Sequence, residues 1–206
     1  WTLNATYDQG LFLQEIWSGH LGRPFESTLA SQLSTPVLVH GTALPGLGYF
    51  HLGQHFTPLL MVWLPLVMLL GVWSLPLVQV GLLTAGGLVL HQLALVDLPP
   101  RLAAWITCSY FAAGIEIGPA LENFHDLCAI PVLSFGLLLG IRRNIPWLYG
   151  LCALLLPLVR EDVGLLSFSF GLWMMVRCHR GWRWAGLGLC LYSALMVVLI
   201  TNVWMS

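Results

Sequence analysis

After residue 56 polar positions become so sparse that the chain reads as apolar stretches divided by short polar joints. Seven stretches can be marked, at residues 57–73, 76–96, 102–118, 127–141, 145–159, 163–176 and 184–205. A hydrocarbon core about 30 Å thick takes roughly 20 helical residues to cross. Several stretches fall short of that, so their flanks must contribute or the joints between them must dip inward. The pattern predicts an all-α polytopic membrane protein, with about six transmembrane helices and further helices lying in the membrane plane.

Composition strengthens that reading. Only 8% of the 206 residues are charged and the mean hydropathy is +0.82, where a soluble domain carries about 25% charged residues. A net charge of −1 offers nothing to a nucleic acid; membrane lipids are the expected surroundings. The five cysteines show no CxxC spacing, and four lie inside apolar stretches, which fits buried thiols. The start at "WTLNATYDQG" is polar and lacks a basic n-region, which points to a first span upstream of this sequence.

Lysine is absent, so the arginines alone set orientation. Arg142 and Arg143 form one basic joint; Arg177, Arg180 and Arg183 form another. Both are expected on the cytoplasmic side. Residues 145–176 must then go out and return, with Arg160, Glu161 and Asp162 at the outer bend. Working backwards, residues 119–126 lie outside, Arg101 inside, and the joint at 73–76 outside. Residues 57–73 carry Pro58 and Pro65, which suits a short, kinked, interfacial or re-entrant helix with Thr57 as N-cap. The non-spanning alternative is favoured. Residues 1–56 form a long outer loop, in which 9–20 is a short in-plane helix turning Leu11, Phe12, Ile16 and Trp17 toward lipid. The chain divides into an outer region with juxtamembrane helices, 1–75, and a transmembrane bundle, 76–206.

Three polar clusters carry candidate chemistry. Asp8, Gln14 and Glu15 stand with His51 and His55; the plain alternative for Asp8 is a helix N-cap. Glu116, Glu122, His125 and Asp126 form the second, with Glu116 inside an apolar stretch where a charge is costly. Arg160, Glu161 and Asp162 form the third. A self-neutralising ion pair explains that cluster structurally, whereas an arginine beside carboxylates can also bind a phosphate. His91 and Gln92 read as hydrogen bonders between packed helices.

Five motifs in order, "YDQGLFLQEIW", "GRPFEST", "LGQHFTPLL", "NFHD" and "REDVG", resemble a family of uncharacterised prokaryotic membrane proteins, domain-of-unknown-function family 2079. The chain departs from its pattern where Leu13 replaces an acid, Arg160 a lysine and Leu127 another acid. That family is in turn similar to GT-C class membrane glycosyltransferases. The resemblance implies a GT-C-like helical bundle in the cytoplasmic membrane of a prokaryote, with an outward-facing site. It also implies transfer of a sugar from a polyprenyl-phosphate donor to an acceptor. Asp8 would orient or deprotonate the acceptor, Arg160 would hold the leaving phosphate, and Glu161, Asp162, His55 and His125 would shape the donor pocket. A divalent metal ion is a candidate cofactor, with Asp8, Glu122, His125 and Asp126 as candidate ligands. Two rivals stand beside the enzyme: a transporter, which needs a polar path to the cytoplasmic side, and a non-catalytic subunit partnered by other membrane subunits.

Overall fold

The computed structural model describes residues 7–27, 55–113 and 124–204. Its regular elements are helices: α1 (Tyr7–His20), α2 (Leu64–Leu70), α3 (Ser74–Ala94), α4 (Pro100–Ala112), α5 (Ile130–Arg142), α6 (Pro146–Leu155), α7 (Val163–Arg177) and α8 (Arg180–Leu199). Short 3₁₀ turns precede α2 (Pro58–Trp63) and α5 (Asp126–Ala129) and follow α6 (Leu156–Leu158). Proline stands at the first or second position of α2, α4, α5 and α6, where a missing N–H costs no helical hydrogen bond.

Residues 58–94 are long and apolar enough to cross a membrane, as are residues 180–202. A straight helix of 37 residues would run about 55 Å, far beyond the hydrocarbon core. The run is broken at Gly71, whose φ of 54° and ψ of −129° lie outside the range open to most side chains. The kink expected from Pro58 and Pro65 therefore falls elsewhere: both prolines sit at helix-compatible starts, and the glycine makes the turn. Beyond it α3 has 21 residues, about 31 Å of helix. Thr57 does occupy the N-cap position before Pro58, though its side chain makes no cap bond.

α3 packs against α4 and α5, α5 against α6, and α7 against α8, while α1 lies on the 3₁₀ turn and α2. The tightest crossing is α7 on α8. A Cβ built on Gly171 would stand 2.5 Å from Cys190 Sγ and 2.7 Å from Gly186 O, so only glycine lets these backbones meet, as small residues do between membrane helices. Leu137, Leu156, Val159 and Met174 fill one core; Ile16, Leu60, Val67, Leu75 and Phe124 fill a second, which anchors α1.

α1 differs from expectation in its facing. Leu11 and Ile16 are buried and only Trp17 of the four apolar residues is well exposed. Periodicity marks a helix's apolar side but does not distinguish lipid from protein as what covers it. Here Phe12 meets Phe124 edge to face, with ring centres 5.6 Å apart.

The helices alternate in direction, and charge separates accordingly. Arg142 pairs with Asp97, Arg143 donates to Gln92 Oε1 at 3.1 Å, and Tyr149 at the start of α6 donates its hydroxyl to Ala185 O near the start of α8 at 3.0 Å. One end of the bundle therefore gathers the joints after α3, α5 and α7, with six of the eight arginines. The joints predicted to lie inside share this end, and the bend at residues 160–162 lies at the other.

Candidate functional site

At the end opposite the arginine-rich joints, four segments distant in sequence bring ionisable side chains together. α1 contributes Glu15, which is fully buried. Burial pushes its carboxyl up to about 9, and the charge of Asp126 adds to the shift. The packing forces the position: Ile16 and Leu11 are drawn into the protein, and Glu15 lies on the same side of the helix as Leu11, four residues on.

Asp126 opens the 3₁₀ turn before α5, with its side chain 10% exposed. Burial raises its pKa from the ordinary carboxylate value, opposed by the positive charge of Arg160 and by His55. Arg160 Nη1 lies 3.7 Å from Asp126 Oδ1. The rest of that guanidinium is taken by Asp162: Nε donates to Oδ1 at 2.9 Å and Nη2 to Oδ2 at 2.6 Å. This fork holds the Asp162 carboxyl below its usual range. It also explains why Asp162, at the N-cap position of α7, makes no side-chain cap bond. The expected self-neutralising pair is thus present, with a second carboxylate, Asp126, on its buried side.

Glu161 acts as a tether. Its Oε1 lies 2.8 Å from His55 Nδ1, and its Oε2 accepts the Phe56 N–H at 2.9 Å. Both oxygens thereby fasten the start of the 58–63 turn to the bend before α7. His125 is held by its backbone: its N–H donates to Gln79 Oε1 at 2.6 Å, while its side chain lies at the surface. A small pocket is lined by Leu60, Trp63, Leu82, Phe124, Val159 and Asp126, so the one acid in its wall stands at the junction of apolar surface and charge.

The structure gathers Asp126, Arg160, Glu161, Asp162 and His55, and His125 adjoins Asp126 in the chain. Asp8 is exposed in the first turn of α1, inside the helix and not at its N-cap. It stands two turns before Glu15 on nearly the same side, about 10 Å along the axis. Glu116, Glu122 and His51 lie outside the described residues. Among those described, no three His, Cys, Asp or Glu side chains are grouped to hold a metal ion.

Two members carried no assigned role in the sequence reading. Glu15 was visible beside Asp8, but its burial follows only from α1 docking on protein. Gln79 had a plainer signal, a lone amide inside an apolar stretch; it is 2% exposed and anchors the His125 backbone. His91 behaves as expected, with Nδ1 3.1 Å from Thr107 Oγ1 on the neighbouring helix α4.

A family model described as "Predicted membrane protein (DUF2079)" matches residues 1–205. No curated protein and no solved structure matches the chain.

Proposed function

We propose, from the premise that the chain belongs to the DUF2079 family of predicted membrane proteins, that it works as a membrane glycosyltransferase of GT-C type. In this reading about six helices cross the cytoplasmic membrane of a prokaryote, with α1 and residues 58–73 lying along the outer face. The cluster around Arg160 faces outward and takes a polyprenyl-phosphate sugar donor. The observation that carries it is the meeting of Glu15, Asp126 and Arg160, from three separate segments, with Asp126 in the wall of a small, otherwise largely apolar pocket.

The chemistry asks for a carboxylate near the acceptor hydroxyl and a cation near the departing phosphate. Asp8 is the acceptor-facing acid, because it is exposed in the helix that covers the cluster. Glu15 does not serve as the base near neutral pH, since its burial favours the protonated form. Arg160 receives the lipid phosphate by exchanging partners: its fork to Asp162 opens, Asp162 turns to solvent, and the phosphate accepts from the in-plane N–H donors that the carboxylate leaves. Asp162 has a side chain 52% exposed, so water can solvate its carboxylate as the fork opens, and the phosphate replaces the two bonds that Arg160 gives up.

The test is transfer from a radiolabelled polyprenyl-phosphate sugar to membrane acceptors by the purified full chain in vesicles. Product that disappears with Arg160→Gln supports the reading. An inactive wild type across the available lipid-phosphate sugars, with donor binding also absent, would move the protein to the second reading, a structural subunit. The Arg160–Asp162 fork favours that second reading, because it already neutralises the guanidinium without a ligand.

A further inference from the structure

The arginine-rich end of the bundle has no part in the site above. It carries Arg101, Arg142, Arg143, Arg177, Arg180 and Arg183, all exposed, and among the described residues a single acid, Asp97, stands with them. That acid is already paired with Arg142. Arg143 is committed to Gln92 and Arg183 to a backbone carbonyl. Arg101, Arg177 and Arg180 make no ion pair or side-chain hydrogen bond among the described residues. Arg101 and Arg180 also stand in the first turns of α4 and α8, neither of which has an acid there. The positive end of a helix is an unfavourable place for a cation, so at Arg101 and Arg180 the helix ends add to the positive charge, while Arg177 stands in the last turn of α7, where the dipole favours it.

The tryptophans fix where this charge lies relative to a bilayer. Trp105, Trp147 and Trp184 are 71%, 70% and 66% exposed. They fall within the first two turns of α4, α6 and α8, the three helices that begin at this end. Exposed indoles near the same end of several helices mark a membrane–water interface. Arg101 and Arg180 each precede their tryptophan by four residues, about one helical turn outward. That is the level of lipid phosphates.

We propose that this end is a docking surface for the headgroups of anionic phospholipids, with Arg101, Arg177 and Arg180 as the contacts that select them. Charge sets the preference over zwitterionic lipid: several arginines with one paired acid create a field that an anionic headgroup neutralises and a zwitterionic one does not. A polybasic surface gains about 1 kcal/mol per arginine near an anionic bilayer, which corresponds to roughly fivefold in local lipid affinity for each and about a hundredfold for three.

The full chain in phosphatidylcholine vesicles doped with brominated phosphatidylglycerol or brominated phosphatidylcholine provides the test, read as quenching of tryptophan fluorescence. The wild type should be quenched at much lower doping by the anionic lipid, and the preference should shrink as salt rises. Arg101→Gln/Arg177→Gln/Arg180→Gln should be quenched alike by both lipids while keeping the wild-type helical circular dichroism. The triple lysine variant, which retains charge, should restore the preference. Equal quenching of the wild type by both lipids overturns the proposal, as does a preference the glutamine variant retains. Inorganic phosphate that abolishes the preference, where chloride of equal ionic strength does not, would assign the surface to a soluble phosphate and overturn it too.

Discussion

Glu15 of α1 and Asp126 of the turn before α5 place two carboxyl groups in one buried region, each raised above its ordinary pKa. Arg160 lies 3.7 Å from Asp126 and is shared with Asp162. α1 is therefore docked through a group that prefers its proton.

The sign of the resulting pH dependence follows. A carboxyl whose folded pKa is raised contributes no penalty below its ordinary value near 4.5, and stability is lost as pH rises toward about 9. Thermal unfolding in detergent should show the wild type less stable at pH 8 than at pH 5. Glu15→Gln, which keeps the shape and holds no titrating proton, should be stabilised at pH 8 and lose most of that slope. A slope unchanged in the variant would place the responsible proton elsewhere.

Arg160 and Asp162 should respond unequally to neutralisation. Arg160→Gln strips the cation from Asp126, which is nearly buried, and should cost about 1–3 kcal/mol, with donor binding weakened as well. Asp162→Asn removes a half-exposed partner and should cost at most about 1 kcal/mol. Paired melting curves and binding of a polyprenyl-phosphate analogue give both quantities.

For Asp8 the expected loss lies in the reaction and not in the fold. Its side chain is exposed, so Asp8→Asn should leave the melting temperature and donor binding near wild type. If it acts as the acceptor's base, turnover should fall by about 10²–10⁴-fold. A variant that transfers sugar at the wild-type rate would remove Asp8 from the mechanism.

The α7–α8 crossing can be probed with two glycines. Gly171→Ala sets a methyl against Cys190 and the Gly186 carbonyl and should destabilise by about 1–3 kcal/mol. Gly188→Ala, on the same helix pair, has nothing within 4 Å of the added carbon and should be neutral or slightly stabilising. Thermal aggregation in detergent compares them directly.

Much of the helical layout was legible because apolar length and proline placement act locally. The stretch read as 163–176 is α7, Val163–Arg177, and the joint at Arg142–Asn144 ends α5. The stretch read from 184 begins at Arg180, since two arginines that suggested a loop are tolerated in a first turn reaching water. The site was legible in part. Arg160, Asp162 and Asp126 declared themselves as charges between apolar stretches, whereas Glu15 depended on what α1 packs against, a long-range contact that periodicity does not encode. The bend at Gly71 was missed for a related reason: two prolines nearby offered a more familiar cause.

That bend has a consequence for biogenesis. The machinery that inserts membrane helices selects segments by hydrophobicity and length, and residues 58–94 offer it a choice of starting points along one continuous apolar run. Gly71 removes the ambiguity by ending the first half where the second must begin. A substitution there, such as Gly71→Leu, would give the nascent chain a longer uninterrupted helix and alternative frames for insertion. The damage would then appear as a mixture of topologies in newly made protein, before any folded molecule exists to be unstable. Cysteines at Leu21 and Asn144, both exposed, introduced with Cys108 replaced by serine, would count those topologies by labelling on intact and permeabilised cells.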